Sequence, residues 1–422
     1  MQIKNSLLTI VFLLTITCLH AQKSTTSPYS RYGYGLLSEN SLALGQSMSN
    51  TGIAIRSNNH LNFLNPASFT AIDSAHFIFE VGVKNQLTKL SVGDESVKRS
   101  TSNMEYIAMG FPVSRWWGMG IALMPYSKIG YSFVQNQILP DSSTVKYHYE
   151  GTGGSNQILW SNSFKPFKGL SIGINSGFIF GEVTRSAYNS ITSNNLANNV
   201  AKNIVVDIHG FYFEAGMQYE YKLNAKKTLI IAALFAPNQL IQTQNVEVVT
   251  DGTNLYENKS DKIQNNDLPM KIGVGLGLQQ KDKLQFGIDF KYQDWTNAKI
   301  YGVSSEYFQK LNSLNVGAEY LPNKFAAHGY YNRVRYRIGA RITQTNLAVP
   351  ENEGDSKRYS VNEASVSLGF GLPLKMSANN VNLSLEYGSR GTSKVTLPKE
   401  TFFVLNLNFT LNENWFNKYK IK

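Results

Sequence analysis

Strict two-residue alternation of apolar and polar side chains runs through most of this chain, and few folds can accept it. From Leu284 to Tyr292, Leu284, Phe286, Ile288, Phe290 and Tyr292 share one face; Gln285, Gly287, Asp289 and Lys291 share the other. Successive side chains of a β-strand point to opposite faces, so the pattern predicts an extended strand. The preceding stretch sets Ile272, Val274, Leu276 and Leu278 against Lys271, Gly273, Gly275, Gly277 and Gln279. Val334, Tyr336, Ile338, Ala340 and Ile342 oppose Arg333, Arg335, Arg337, Gly339 and Arg341, and Phe403, Leu405, Leu407, Phe409 and Leu411 oppose Asn406, Asn408 and Thr410.

A soluble β-sandwich also alternates. Three features point instead to an all-β, transmembrane antiparallel barrel. Many segments run to 12 or more residues, against about 5–6 for strands of globular sheets. The polar faces hold charge and glycine. Short and long connections alternate, as in outer-membrane barrels with tight turns on one rim and long loops on the other. Short connections fall at Ser114-Arg115, Phe167 to Gly169, Asn224 to Lys227, Lys281 to Lys283 and Ser377 to Asn380; Pro322 to Asn332 breaks that rule by its length. The long ones fall near 91–101, 135–153, 186–204, 249–267, 300–308, 348–359 and 389–398. About fourteen strands result, from 76–90 to 400–411, with twelve or sixteen as alternatives; an even number puts both barrel ends on one rim.

Composition excludes other classes. With 16% charged, 42% hydrophobic and 12% aromatic residues, the chain is neither disordered nor, beyond its first residues, a carrier of the roughly 18-residue apolar runs of spanning helices. Residues 1–21 read as a signal peptide: Lys4, an apolar stretch from Leu7 to Thr17, and Ala21 before the cleavage point. The single Cys, Cys18, falls within it, which removes disulfides and thiolate sites from the mature chain. The net charge of +11 contains no basic run suited to nucleic acid, and export argues against that partner. No G-x-S-x-G elbow or H-x-x-x-H spacing is present, so no catalytic, cofactor or metal site is expected.

The organisation read from the sequence is therefore a signal peptide at 1–21, an N-terminal segment at 22–75, a barrel at 76–412 and a basic tail at 413–422. Within residues 32–72 only Glu39 and Arg56 are charged, and Gly, Ser and Asn abound. Such a segment suits either an ordered loop or a plug in the lumen that a wide barrel leaves. Leu44-Gly45-Gln46-Ser47-Met48-Ser49-Asn50-Thr51-Gly52-Ile53-Ala54, followed by Asn65-Pro66-Ala67, resembles the N-terminal hatch of FadL-like long-chain fatty-acid transporters. Phe290-Lys291-Tyr292 before Asp294-Trp295 is similar to a pattern of the same family. The resemblance implies a fourteen-stranded barrel with a hatch at Gly45, Gly52, Asn65, Pro66 and Ala67, passing a hydrophobic or amphipathic small molecule across the bacterial outer membrane. The ending Trp415-Phe416-Asn417-Lys418-Tyr419-Lys420 resembles a divergent branch from lineages with gliding and type IX secretion. Membership there implies the alternative, a non-transporting structural subunit of an outer-membrane secretion or barrel-assembly complex.

Charges on the lumen face are the remaining candidates, because Arg or Lys facing lipid at the midplane costs roughly 2–4 kcal/mol. Arg335, Arg337, Arg341, Glu319, Asp289 and Glu386 are read as one group, either an ion-pair network or a headgroup site for an amphipathic ligand. Gly273, Gly275 and Gly277 share one strand face and read as a close-packing stripe against the plug. The short-turn rim is basic, with Arg115, Lys168, Lys226, Lys227, Lys281, Lys283 and Lys324, and the tail adds Lys418, Lys420 and Lys422 beside Trp415. Expected partners are outer-membrane lipid, a hydrophobic small molecule and an outer-membrane or periplasmic protein. A continuous apolar cavity would favour transport; a packed lumen would favour the structural role. Both ends of the mature chain are expected on the periplasmic, short-turn side.

Overall fold

Backbone groups cannot be left unpaired in lipid, so a sheet crosses a membrane only by closing on itself. The computed structural model describes residues 25–138, 144–191, 200–251, 254–259, 263–300, 305–326, 328–351, 355–374, 379–394 and 396–414. Residues 1–21, read above as a signal peptide, and Trp415, Lys418, Lys420 and Lys422 of the expected tail lie outside them. Among the described residues, fourteen antiparallel strands form one closed sheet. In chain order they are β1 (His76–Val92), β2 (Glu95–Ser114), β3 (Trp117–Ile138), β4 (Thr144–Phe167), β5 (Leu170–Ile191) and β6 (Val200–Lys222). β7 has two segments, Lys227–Ala236 and Gln239–Asp251; β8 has three, Asn254–Lys259, Gln264–Leu268 and Lys271–Gln280. Then come β9 (Leu284–Asp294), β10 (Lys310–Tyr320), β11 (Arg335–Pro350), β12 (Arg358–Pro373), β13 (Asn380–Gly391) and β14 (Lys399–Asn414). β14 pairs with β1 from Lys399↔Ser91 to Asn414↔His76, so no edge remains.

The barrel is apolar outside and polar inside. Val274, Leu276, Phe290, Leu314, Ile338 and Ile342 are exposed, whereas Gln285, Asp289, Asn315, Arg337, Asn382 and Asn408 are buried. Opposite faces of the same strands carry these sets, which places the apolar band against lipid and the polar face in the lumen.

Two sequence readings need correction. Most of the supposed long connections are strand. The loop expected at 91–101 is a turn at residues 93–94, and β3 and β4 fill most of 135–153. Backbone pairing continues where side chains no longer meet lipid, so the ladder outlives the apolar alternation that marks it. Conversely, the stretch between the connections at Asn224 to Lys227 and 249–267, expected as one strand, breaks at Pro237-Asn238. Proline cannot donate to the ladder; the Asn238 side chain accepts from Met270 N at 2.7 Å, and Gln239 Nε2 donates to Phe213 O at 3.0 Å across the gap.

Candidate functional site

The segment before β1 threads the lumen from one end to the other. Its first described residues lie at the long-hairpin end, not at the short-turn end where the mature N-terminus is expected. Tyr29 hydroxyl donates to Pro398 O, next to the start of β14. Arg31 sits over the rings of Phe133 and Tyr149, 5.4 Å from each centroid. Leu36 and Leu37 pair with Lys128 and Ser127 of β3. Tyr34 meets Trp295 edge-on at 6.2 Å, and Trp295 is fully buried. The physical reason is the aromatic content of residues 29–34: these rings and Arg31 find apolar and π partners inside the upper wall.

Lower down, residues 47–55 lie on a floor of glycine. Gly277, Gly287, Gly317 and Gly339 face one another in register across β8 to β11. A Cβ at Gly277 would stand 2.6 Å from Ala54 O, one at Gly287 3.0 Å from Ile55 Cδ1, and one at Gly317 2.6 Å from Met48 Cβ. Gly275 would likewise meet Ala54 N at 3.0 Å. These residues permit backbone-to-backbone approach that a side chain would block. Asp289, on the same wall, accepts from Gly52 N at 2.6 Å and Ile53 N at 2.9 Å.

The Asn-Pro-Ala triplet closes the descent. Asn65 caps the 3-10 helix Pro66–Ala71: its Oδ1 accepts from Ala67 N at 3.1 Å, and Pro66 occupies a first-turn position where no N–H is needed. Its Nδ2 donates to Ile53 O at 2.9 Å and to Met217 O of β6 at 3.2 Å. One fully buried amide thus joins hatch turn, helix start and wall. Gly45 is different in kind: a Cβ there would strike Ser41 Oγ within the hatch. Replacing Asn65 by Ala strands buried partners, each costing about 1–3 kcal/mol. The expected result is loosened protease protection of residues 40–70 with the heat-resistant barrel retained. Equal loss of barrel and protection would make Asn65 a folding determinant of the whole chain.

Both charges of the polar segment are answered from the wall. Glu39 pairs with Lys291 at 2.8 Å. Arg56 reaches Glu220 at 2.8 Å and Gln218 Oε1 at 2.7 Å. His60, fully buried, accepts from Arg337 through Nε2 at 3.2 Å and faces Glu80 at 3.4 Å. Burial pushes its imidazole pKa down, against the upward pull of Glu80.

The candidate lumen group separates into three parts. Glu319 binds Arg335 and Arg337, each at 2.7 Å. Arg341 binds Glu363 at 2.6 Å and Glu386 at 2.9 Å. Asp289 belongs to neither; it holds the hatch backbone. Sequence reasoning missed Glu363, Arg390, Glu400, Glu80 and His60. Glu363 could be read as lumenal from the opposing row Ala364, Val366 and Leu368, but nothing local marks Glu80 or His60 as partners across the lumen.

Between residues 35–50 of the hatch and the wall lies a cavity of about 270 Å³. Its cations are Lys84, Lys128, Lys271, Lys291, Arg341 and Arg390. Each stands within 4.0 Å of a carboxylate: Lys84 and Lys128 beside Glu105, Lys271 beside Glu214, and Arg390 between Glu363 and Glu400. The arrangement makes a chamber whose charges are internally neutralised and stand among apolar side chains such as Leu36, Leu234 and Leu268. Buried oxygens of Gln157 and Asn406, left without protein partners, face a space polar enough for water.

Solved barrels share this fold. The Pseudomonas putida toluene transporter TodX matches with a TM-score of 0.60 at 12% identity, covering 90% of this chain and 99% of that one. A Pseudomonas aeruginosa FadL homologue matches with 0.58 at 12% identity over 91% and 100%. The monoaromatic hydrocarbon channel CymD matches with 0.54 at 14% identity over 88% and 97%. At such identities the likeness concerns the fold, that of an outer-membrane β-barrel. No curated protein matches the chain. One family model does, over residues 2–422, nearly the entire sequence: the chain belongs to the BamG family.

Proposed function

We propose that this protein resides in the outer membrane as a non-transporting structural subunit of a protein secretion or barrel-assembly complex. The observation that carries this reading is the lumen. A hydrophobic solute passing through would have to displace a hatch seated on a glycine floor and then cross a chamber in which six paired cations and their carboxylates stand among side chains such as Leu64, Leu234 and Leu268, with paired charges to be passed along the way. A family model distinct from the channels that share the fold is compatible with it.

A second reading, passage of a hydrophobic or amphipathic small molecule, is favoured by the fold shared with the toluene and monoaromatic channels. The chamber also reaches the interrupted wall, where Gln239, Leu268 and Pro269 line it. Gentle solubilisation followed by sizing decides between them. Under the structural reading the chain runs with stoichiometric larger partners, and proteoliposomes of the purified chain take up fatty acid or toluene no faster than empty ones. Saturable uptake lost in a folded Arg335→Gln/Arg337→Gln variant would establish transport instead.

A further inference from the structure

The connection between β10 and β11, residues 321–334, is the long exception on the short-turn rim. Its described residues, 321–326 and 328–334, form a folded projection. Asn323 N donates to Asn332 O at 2.8 Å, closing its base, and Tyr330–Arg333 forms a 3-10 turn. Phe325 and Tyr331 are 78% and 77% exposed on it. Beside it lies a ledge of lysines built from two neighbouring turns. Lys281 N donates to Lys226 O at 2.9 Å, and Leu321 N donates to Lys283 O at 2.8 Å, so turns 223–226, 281–283 and the projection are knitted together. Lys226, Lys227, Lys281 and Lys283 are all exposed there. The acid on this ledge, Asp282, is already taken by Lys324 at 2.8 Å.

We infer that this ledge and projection dock an acidic segment of a periplasmic protein, which covers Phe325 and Tyr331 with apolar side chains and pairs carboxylates with the lysines. The inference rests on the structural-subunit reading and names where the partner sits. Charge complementarity sets the sign of the partner. The placement of the rings separates a protein from lipid. Elsewhere on this rim the membrane-type aromatics lie along the wall: Trp116, Trp117 and Phe164 stack at 5.9–6.2 Å on paired strand ends. Phe325 and Tyr331 are instead carried off the ladder, on a segment that pairs with itself. Large exposed rings beside exposed lysines are what a docked peptide buries at the centre of an interface, with charge at its margin.

The test places a photo-crosslinking amino acid at position 325 or 331 of the full-length chain in living cells. The expected result is one discrete protein adduct, mapped to an acidic stretch. Lys226→Glu/Lys281→Glu/Lys283→Glu should reduce it at least about tenfold, the equivalent of 1.4 kcal/mol, while the barrel stays heat-resistant. If that variant does not insert, the corresponding triple Gln variant gives the same reading. Adducts to lipid alone, no adduct from a folded barrel, or an adduct indifferent to charge each overturn the ledge. A complex that stays intact after charge reversal refutes the ledge and leaves the subunit reading standing. A wild-type chain that runs alone refutes both.

Discussion

Replacing Arg337 by Ala is expected to destabilise the folded barrel by about 3–5 kcal/mol, the range for removing one partner of a buried ion pair. Arg337 is 3% exposed, and its guanidinium is divided among three partners. Nε donates to Glu319 at 2.7 Å, one terminal nitrogen to Asn382 Oδ1 at 2.7 Å, and the other to His60 Nε2 at 3.2 Å. One side chain therefore links β10, β11 and β13 to the hatch. Its loss leaves the Asn382 oxygen and His60 nitrogen unsatisfied, and Glu319 keeps only Arg335. Removing Arg335 instead should cost less, roughly 1.5–3 kcal/mol, because it contributes a charged hydrogen bond at a more accessible place. Denaturant unfolding in detergent, followed by the heat-resistant band, measures both. Equal costs, or a loss of ligand binding without a loss of stability, would contradict a structural role for Arg337.

The second large effect is expected at Gly339. A Cβ there would enter the backbone of Met48, with Met48 Cα only 2.7 Å away. Valine adds two further methyl groups, and the wall cannot yield, because Gly317 and Ser367 pair with this position on either side. Overpacking costs about 1–3 kcal/mol where a core can adjust; here the cheaper response is for the hatch to leave its floor. Gly339→Val should therefore insert and resist heat as a barrel, yet conduct ions in planar bilayers and expose residues 40–56 to protease. Ala340→Val, one residue away on the exposed outer face, should change neither. A closed, protease-resistant Gly339→Val barrel would mean that the glycine row does not seat the hatch.

The lumen chemistry follows from a simple inversion. A soluble domain hides apolar surface and leaves charge outside; this barrel presents its apolar faces to lipid and gathers charge within. The ion pairs inside are costly to assemble, but once assembled each partner holds the other in place. That explains how a chamber can carry six cations and still be neutralised, five by carboxylates of nearby strands and Lys291 by Glu39 of the hatch.

What this sequence determined unaided is local. Alternation from Ile272 to Leu278 and from Leu284 to Tyr292 specifies strands and assigns each residue to lipid or lumen, because a strand's side-chain period is two whatever it pairs with. Asn65-Pro66 marks a helix start for the same local reason: a capping oxygen followed by a residue with no N–H to satisfy. Tertiary structure decided everything that depends on register. Gly277, Gly287, Gly317 and Gly339 lie far apart in the chain and become a continuous floor only when four strands align. The six candidate lumen residues read as one group were divided by the same alignment: Glu319 went to Arg335 and Arg337, Glu386 to Arg341, and Asp289 to the hatch backbone. The first described residues of the hatch were placed at the far rim because Arg31 meets Phe133 and Tyr149 there, Tyr32 meets Tyr307 and Tyr34 meets Trp295. Periodicity reports which way a side chain points; only the closed sheet, by fixing every strand against its neighbours, decides what it points at.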